Sequence, residues 1–269
     1  MSAGGSAATL RLQMVETSLV EVRAVGRACV LTLRREEKLN ALSQALEREL
    51  KEALDAAAVV ESACVIITGT SRAFSAGADI DELRDRDPSA IAAYYRETGD
   101  VYERVAALTQ PTVAAVAGYC LGGGLELALA TDFRVAEETA VFGFPEVSVG
   151  ILPSSGGTHR LARLVGPARA KELMLLRPRL NATDALEVGL VTEVVSEGQA
   201  LSRALELAEQ LAELPRLAVS VAKQAADLMP EASREAGIML ERLAYGMLAQ
   251  TEDARAAAEA FAAERRKPK

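Results

Sequence analysis

Residues that bind metals are scarce in this sequence. It has one histidine, His159, and three cysteines, Cys29, Cys64 and Cys120, which are unevenly spaced and lie mostly in apolar runs. These few residues are not enough to build a metal cluster. An odd number of cysteines in apolar surroundings predicts reduced thiols in the core of a protein from a cytosol-like compartment.

An excess of positive charge is also missing. The 269 residues carry a formal net charge of -8, which argues against general binding of nucleic acids because phosphate recognition needs a broad basic surface. No uninterrupted apolar run is long enough to span a bilayer, and residues 1–9 lack the charged start and apolar core of a secretory signal. We therefore expect a soluble, cytoplasmic protein without a membrane or nucleic-acid partner.

The segment 118–126 concentrates glycine and ends in a carboxylate. Residues 111–117 before it predict a buried strand, and the apolar residues 127–130 after it continue as a helix. Gly122, Gly123 and Gly124 therefore leave backbone amides at a helix N-terminus uncovered by side chains, where an anion or an oxyanion can bind. The alternative is that these glycines only permit tight packing of strand and helix.

Glu126 strengthens the functional interpretation of that segment. A carboxylate in an apolar helix is costly to bury unless it is paired, hydrogen-bonded or held protonated for chemistry. The alternative for this residue alone is a surface carboxylate that interacts favourably with the helix dipole.

The N-terminal part of the chain predicts a parallel sheet and hence an α/β fold. Residues 19–33 read as two strands joined at Gly26, and residues 64–69 as a strand buried on both faces. Between them a helix is predicted from its N-cap Ser43 to near Ala58. The resulting strand-helix-strand unit is typical of a parallel sheet. The residues assigned to its apolar face are Leu46, Leu50 and Leu54, and those assigned to its other faces are Glu47, Glu49, Lys51 and Glu52. The chain length allows one large domain, or one domain with a smaller appendage.

Two further segments add to the same site. Residues 72–83 form another glycine-containing loop that opens into a helix, so the N–H groups of Ala78 and Gly123 can point at one place, as in an oxyanion hole. The alternative is an ordinary helix start capped by Asp79. Residues 140–161 place a second carboxylate, Glu146, among apolar residues, where a raised pKa would let it move a proton at neutral pH. The alternative is a glutamate that simply follows Pro145 at a helix N-terminus.

Taken together, these segments resemble the crotonase superfamily, and enoyl-CoA hydratases most closely. Nearly the whole chain takes part, through residues 35–42, 73–83, 118–127, 142–161, 166–173, 185–191 and 251–267. The resemblance implies a crotonase-like ββα spiral core with the acyl-CoA site over residues 1–200. It also implies a helical region over residues 201–269 that builds homotrimers, often paired into hexamers. In that region Leu201, Leu205, Ala208 and Leu211 lie at helical spacing, and a second helix is predicted from about Pro230 to Leu248.

The resemblance also implies roles for four residues. The amides of Ala78 and Gly123 would hold the thioester carbonyl oxygen and stabilise an enolate. Glu126 would activate water for attack at C3, and Glu146 would deliver a proton to C2. The product would be a 3-hydroxyacyl-CoA in fatty-acid or related acyl-CoA degradation. No metal or redox cofactor is implied, since coenzyme A is part of the substrate.

Contacts to coenzyme A are expected in the segment 35–42, in the loop of residues 72–83 and at the C-terminal end. Arg35 and Lys38 would provide a locally basic surface for the anionic nucleotide. The other expected contacts are Ala41, Leu42, Ala76, Asp79, Ile80, Phe261 and Lys267. For the last two, a core phenylalanine and a solvated basic tail are the alternative.

Three positions depart from the family pattern. Glu36 replaces the usual proline, Ser154 stands where hydratases often have glycine near the catalytic water, and His159 replaces a common glutamine. We expect a structural hydrogen-bonding role for His159. Short-chain, long-chain, branched and aromatic-pathway substrates all fit the sequence.

Other functions remain open beside hydration. An enoyl-CoA isomerase usually keeps one of the two carboxylates, and related dehalogenases rely on His and Trp, of which this chain has no Trp. A serine hydrolase would use Ser154 or Ser155 with His159, but the sequence has no Gly-x-Ser-x-Gly elbow. Dinucleotide binding requires a Gly-x-Gly-x-x-Gly spacing that is missing. RNA binding, known for one branch of the family, conflicts with the negative charge.

Overall fold

The computed structural model describes residues 18–83, 87–176 and 178–265. Lys267, an expected coenzyme A contact, lies outside the described residues. The strands are β1 (Val20–Val25), β2 (Ala28–Leu33), β3 (Cys64–Thr68), β4 (Ala73–Ser75), β5 (Thr112–Val116), β6 (Tyr119–Leu121), β7 (Phe133–Glu137), β8 (Val141–Gly143), β9 (Leu180–Asn181) and β10 (Glu193–Val195).

The larger sheet is built around the apolar strands that the sequence predicts. In the described part of the chain its strands run in the order β1-β2-β3-β5-β7-β10. β1 and β2 form an antiparallel hairpin, and the remaining neighbours are parallel. Val30, Ile66 and Val113 pair across β2, β3 and β5 and are fully buried. Apolar packing on both faces therefore fixes the register of the sheet.

The smaller sheet takes the short strands in the order β4-β6-β8-β9. β4, β6 and β8 are parallel, and each follows a long strand of the larger sheet, since β3 leads to β4, β5 to β6 and β7 to β8. A helical segment comes after each of these short strands. This repeated order of long strand, short strand and helix is the predicted ββα spiral, and it brings three carboxyl ends of short strands to one edge.

Helices surround the two sheets. They are α1 (Gln44–Ala53), α2 (Ala57–Glu61), α3 (Ile80–Leu83), α4 (Pro88–Glu97), α5 (Val101–Ala106), α6 (Gly123–Leu129), α7 (Gly157–Val165), α8 (Pro167–Lys171), α9 (Ala182–Glu187), α10 (Ala200–Ala212), α11 (Arg216–Leu228), α12 (Arg234–Leu248) and α13 (Glu252–Arg265). The larger core joins one face of the main sheet, including Ile67, to Phe74 and Phe142 of the smaller sheet and to Leu125 of α6. The three cysteines are buried and unpaired, as predicted.

α10 covers the other face of the larger sheet. Its Ala200, Ala204 and Ala208 lie four residues apart on one side of the helix and are buried against Val30 and Ile66. Small side chains let the helix approach the sheet closely. The division at residue 200 stays a prediction, but the first helix beyond it packs with the sheet rather than with the exposed helices that follow.

The first predicted helix is shorter than the sequence indicated. α1 begins after its predicted cap Ser43, whose hydroxyl accepts the Leu46 N–H. It ends at Ala53 rather than near Ala58, because Ala56 takes an extended conformation with φ -64 and ψ 141 and the chain restarts as α2.

The placement of Glu47 on a polar face of α1 was wrong. The residue is 2% exposed, and both Tyr94 and Tyr102 donate hydrogen bonds to its Oε1, at 2.7 and 2.8 Å. Glu47 lies three residues before Leu50 and seven before Leu54, so it shares their side of the helix. The partners that allow its burial come from distant helices, which the α1 sequence alone does not show.

The C-terminal helices differ from the prediction in number and start. α11 was not predicted as a separate helix, and the second helix of this region was predicted to begin near Pro230. Pro230 instead lies in a separate 3-10 turn over Met229–Glu231, and α12 begins at Arg234 with Ser233 as its cap. No helix in the described ranges combines the length and the apolar character that crossing a bilayer requires.

Candidate active site

The site lies where the three parallel short strands of the smaller sheet end. β4 leads into the loop that carries Ala78, β6 into the glycine run before α6, and β8 into the segment with Glu146. Cys120 of β6 pairs with Ser75 on one side and Phe142 on the other. Parallel pairing therefore brings three segments that are distant in sequence to one edge.

The amides of Ala78 and Gly123 are neighbours. A Cβ placed on Gly123 would lie 3.4 Å from the Ala78 nitrogen. Leu42 bonds to the residues on both sides of Ala78, donating to Gly77 O at 2.8 Å and accepting from Asp79 N at 3.0 Å. In this parallel bridge the N–H of Ala78 points away from Leu42.

Both amides are available as hydrogen-bond donors. Gly123 is the first residue of α6, where N–H groups have no partner within the helix. Neither N–H bonds to another group within the chain segments that the structure describes. The pair has the arrangement that an oxyanion hole requires.

Arg35 braces the loop that carries Ala78. Its guanidinium donates to Asp79 Oδ2 at 2.7 Å and to Ala41 O at 3.0 Å. Burial alone would raise the pKa of Asp79, but hydrogen bonding and the charge of Arg35 hold that pKa below its usual value. Asp79 Oδ1 also accepts the Asp81 N–H at 3.1 Å, as the predicted helix cap would. Much of the Arg35 charge is therefore directed at Asp79, and its role in coenzyme A binding stays a prediction.

The other expected coenzyme A contacts are partly grouped around this loop. Lys38 is half exposed and lies 3.4 Å from Asp81, while Ala76 donates its N–H to Leu39 O and so ties the loop to the segment before Ala41. Ile80 is exposed beside the loop, and Leu42 is buried beneath it. Phe261 lies on α13 and is also exposed.

Glu126 is buried in α6 but is bonded to backbone amides. Its Oε1 accepts the N–H groups of Ser155 and Gly157, at 2.7 and 2.9 Å. Burial raises the pKa of Glu126 by more than these amides and the charge of Arg160 lower it. A Cβ on Gly157 would lie 2.7 Å from Glu126 Oε1, so the second glycine of the Gly156-Gly157 pair leaves room for the carboxylate.

Glu146 lies in a short 3-10 turn after Pro145 and is 8% exposed. Burial, reinforced by the charge of Glu126, raises its pKa to about 7. Its Oε2 is buried and has no hydrogen-bond partner in the described part of the chain. A Cβ on Gly122 would lie 2.8 Å from Glu146 Oε1, so this carboxyl group lies against the segment that presents the Gly123 amide.

Sequence reasoning missed a second group of polar residues beside the site. Tyr102 Oη lies 3.4 Å from the position of a Cβ on Gly123, the same point that is 3.4 Å from Ala78 N. Its hydroxyl donates to Glu47, as described above, and burial first and the Glu47 charge next raise its pKa well above the usual value. Tyr102 is therefore a neutral wall residue next to the amide pair.

The residues of the serine hydrolase interpretation are not arranged as a triad. His159 Nε2 lies 3.0 Å from Glu231 Oε1 on the protein surface, which agrees with the structural role expected for this histidine. The hydroxyl of Ser154 instead accepts a hydrogen bond from Tyr95 Oη. Ser155 contributes its backbone N–H to Glu126.

The arrangement of these segments can be compared with known proteins. The model of the family described as enoyl-CoA hydratase/isomerase matches residues 24–269. The chain belongs to this family. A probable enoyl-CoA hydratase of Rhizobium meliloti is 39% identical over 252 residues, which cover 93% of this chain and 96% of the relative. The 2,3-dehydroadipyl-CoA hydratase of Escherichia coli is 41% identical over 237 residues, 87% of this chain and 92% of the relative.

Solved structures of the enoyl-CoA hydratase/isomerase family have the same fold. An enoyl-CoA hydratase subunit from Geobacillus kaustophilus HTA426 superposes with a TM-score of 0.86 at 37% identity, covering 93% of this chain and 97% of that chain. An enoyl-CoA hydratase from Mycobacterium tuberculosis H37Rv gives a TM-score of 0.83 at 33% identity, with 94% and 98% covered. The resemblance to the crotonase superfamily and the ββα spiral fold are therefore confirmed.

Proposed function

We propose that the protein is an enoyl-CoA hydratase, which adds water across the C2–C3 double bond of a trans-2-enoyl-CoA to give a 3-hydroxyacyl-CoA. The observation that carries the proposal is the meeting of two buried carboxyl groups with two free backbone amides. Glu146 lies against Gly122, the residue before one amide, and the charge of Glu126 acts on Glu146. Relatives named as hydratases support the same activity.

The amide pair supplies the electrophilic side of the reaction. The thioester oxygen accepts hydrogen bonds from Ala78 and Gly123, and these bonds strengthen as the oxygen gains charge. Removal of one such donor from an enzyme typically costs about 2.7 to 4 kcal/mol of transition-state stabilisation. Because the donors are backbone groups fixed by the Leu42 bridge and by α6, little reorganisation is needed during the reaction.

The carboxyl pair moves the protons. Glu126 takes a proton from water while the water oxygen bonds to C3, and the π electrons move through C2 to the thioester oxygen. As the electrons return from the thioester oxygen to C2, C2 takes a proton from Glu146. One proton has then left water and another has reached carbon, and the pair is reset when Glu126 loses its proton and Glu146 regains one.

The environments of the two carboxyl groups suit these opposite roles. Glu146 has a pKa of about 7, so a substantial fraction carries the proton that C2 needs at neutral pH. Glu126 is bonded to amides of Ser155 and Gly157, which favour its ionised form and offset part of the cost of its burial. No metal or redox group takes part in these steps.

Coenzyme A binding and assembly follow from the same proposal. The nucleotide end of the substrate lies near Arg35 and Lys38, with the remaining predicted contacts on the loop around Ala78 and with Phe261 and Lys267. Exposed apolar residues on the last helices, among them Met239, Leu243 and Tyr245, are covered in a homotrimer or hexamer. The protein acts in the cytoplasm, in fatty-acid or related acyl-CoA degradation.

The loss of the enoyl-thioester absorbance tests this function. The purified protein is mixed with trans-2-enoyl-CoAs of graded chain length, with Glu126→Gln and Glu146→Gln in parallel and with Glu138→Gln as an exposed control. We expect rapid loss with the native protein and the control, and a fall on the order of a hundredfold or more in both site variants. Coenzyme A ester binding without any loss of absorbance would contradict hydration and favour isomerisation at the same oxyanion site.

A further inference from the structure

The loop that holds Glu126 is supported from its other side by an arginine. We call residues 154–157 the Glu126 loop, because the amides of Ser155 and Gly157 donate to that carboxylate, at 2.7 and 2.9 Å. The carbonyl of Ser155 accepts a hydrogen bond from Arg160 Nη1 at 2.9 Å. Ser155 is therefore fixed at both of its backbone polar groups, by a carboxylate on one side and a guanidinium on the other.

Arg160 is itself held in place. Its side chain is 15% exposed, and Nη2 lies 2.7 Å from Glu103 Oε1 of α5. Gly156 has φ 90, and a Cβ there would lie 2.1 Å from Arg160 Nη1. A glycine at this position lets the guanidinium lie directly on the loop. Each of the two consecutive glycines therefore makes room for one side chain. Gly156 makes room for Arg160, and Gly157 makes room for Glu126.

The charge of Arg160 also acts on Glu126. Burial is the largest influence on the pKa of Glu126 and raises it, while the amides of the loop and the charge of Arg160 lower it. The other titratable groups facing Glu126 are Glu146 and the phenols of Tyr94 and Tyr102, which have raised pKa values and stay neutral. Arg160 thus supplies positive charge to a carboxylate that otherwise faces an acidic group and neutral groups.

We propose that Arg160 is a positioning residue for hydration, which holds the Glu126 loop against the carboxylate and so places Glu126 to accept the proton of water. The inference rests on the proposed hydratase function. Arg160 acts through Ser155 and through its charge, and it does not contact the substrate. A residue that only braced α5 against α7 would affect folding stability but would leave the ionisation of Glu126 unchanged.

The test compares two substitutions with a control on the same helix. Arg160→Met removes the charge and both hydrogen bonds, whereas Arg160→Lys keeps the charge but lacks the planar fork that reaches both Ser155 O and Glu103. Arg163→Met is the control, since Arg163 pairs with Glu231 at the surface of α7. The kcat and KM for a four-carbon trans-2-enoyl-CoA are measured between pH 5 and 9.

The two substitutions should separate the effect of the Arg160 charge from the effect of its hydrogen-bond geometry. Because the charge of Arg160 lowers the pKa of Glu126, its removal raises that pKa, so in Arg160→Met the acid limb of the kcat/KM profile moves to higher pH. The kcat falls on the order of tenfold with little change in KM, because the carboxylate is displaced. Arg160→Lys keeps the native acid limb but loses kcat, and Arg163→Met behaves as the native protein. A fall in kcat with an unmoved acid limb in Arg160→Met would overturn the proposal.

A readout independent of catalysis separates this inference from the proposed function. Isotope-edited infrared titration follows the carboxylate band that is missing in Glu126→Gln, in protein with and without Arg160→Met. We expect the band to titrate at higher pH in the Arg160 variant. An unchanged titration would refute the role of Arg160, whereas a shifted titration in a protein that hydrates no enoyl-CoA would refute the function alone. If Arg160→Met does not fold, Arg160→Lys decides: native kcat in that variant would refute the role.

Discussion

Gly157→Ala is the substitution whose effect follows most directly from the geometry of the Glu126 loop. Gly157 is the first residue of α7 and has ordinary helical geometry, so alanine there would normally stabilise the helix by about 0.5 to 1 kcal/mol. The new Cβ, however, would lie 2.6 Å from Glu126 Cγ and 2.7 Å from Oε1. Relief of these contacts requires the carboxylate to move by roughly half an ångström or more, and overpacking of this kind costs about 1 to 3 kcal/mol.

The cost should disappear when the carboxylate is removed. In a Glu126→Ala background the clashing atoms are absent, so we expect Gly157→Ala to be neutral or stabilising by up to about 1 kcal/mol. Urea unfolding at one subunit concentration gives the four stabilities of this double-mutant cycle, and kcat/KM of Gly157→Ala should fall on the order of tenfold to a hundredfold. The same destabilisation in both backgrounds would refute the claim that Gly157 exists to make room for Glu126.

Three other predictions concern stability and assembly. The pKa of Glu146 is about 7 rather than 4.5, so the folded protein retains a proton that the unfolded chain releases, and stability falls as pH rises between these values. Glu146→Gln should remove this fall and be about 3 kcal/mol more stable than the native protein at pH 8 in urea unfolding, and an equal difference at pH 5 would contradict the prediction. Arg35→Gln breaks the partly buried pair with Asp79 and should cost about 2 to 4 kcal/mol, whereas Arg34→Gln breaks the exposed pair with Glu21 and should cost less than about 1 kcal/mol. Equal losses of stability would show that burial of the Asp79 pair is unimportant. Leu243→Glu places a charge on the exposed apolar side of α12, and light scattering should show fewer subunits per particle than for the native chain. A native protein that is only monomeric would contradict the proposed assembly.

Much of the fold could be predicted from the sequence because its signals are local. The apolar β-branched run of β3 and the glycines after β6 indicate a buried strand and an exposed amide without reference to the rest of the chain. Glu126 and Glu146 could be selected because a carboxylate among apolar residues needs a special environment. Prediction of the oxyanion hole, by contrast, required two separate segments, those of Ala78 and Gly123, to be placed side by side. Their meeting depends on parallel pairing of the short strands.

What the sequence did not show depends on contacts between distant segments. Glu47 looks like a surface residue of α1 until Tyr94 and Tyr102, from two later helices, are seen to donate to it. α10 appears to be an amphipathic helix of the C-terminal region, but its alanines fit the outer face of the larger sheet. Arg160 is likewise only one of the two arginines of α7 until its bond to Ser155 is known.

Hydration, isomerisation and hydrolysis differ in where the oxygen of water enters the product. Tracing that oxygen is therefore the most direct test of the proposed function. A trans-2-enoyl-CoA is incubated with the protein in deuterated water enriched in oxygen-18, and the products are analysed by mass spectrometry. The account predicts a 3-hydroxyacyl-CoA with the heavy oxygen at C3 and deuterium at C2, formed by the native protein and not by Glu126→Gln or Glu146→Gln. Heavy oxygen in a released carboxylic acid, or deuterium without oxygen in a product with a shifted double bond, would contradict it.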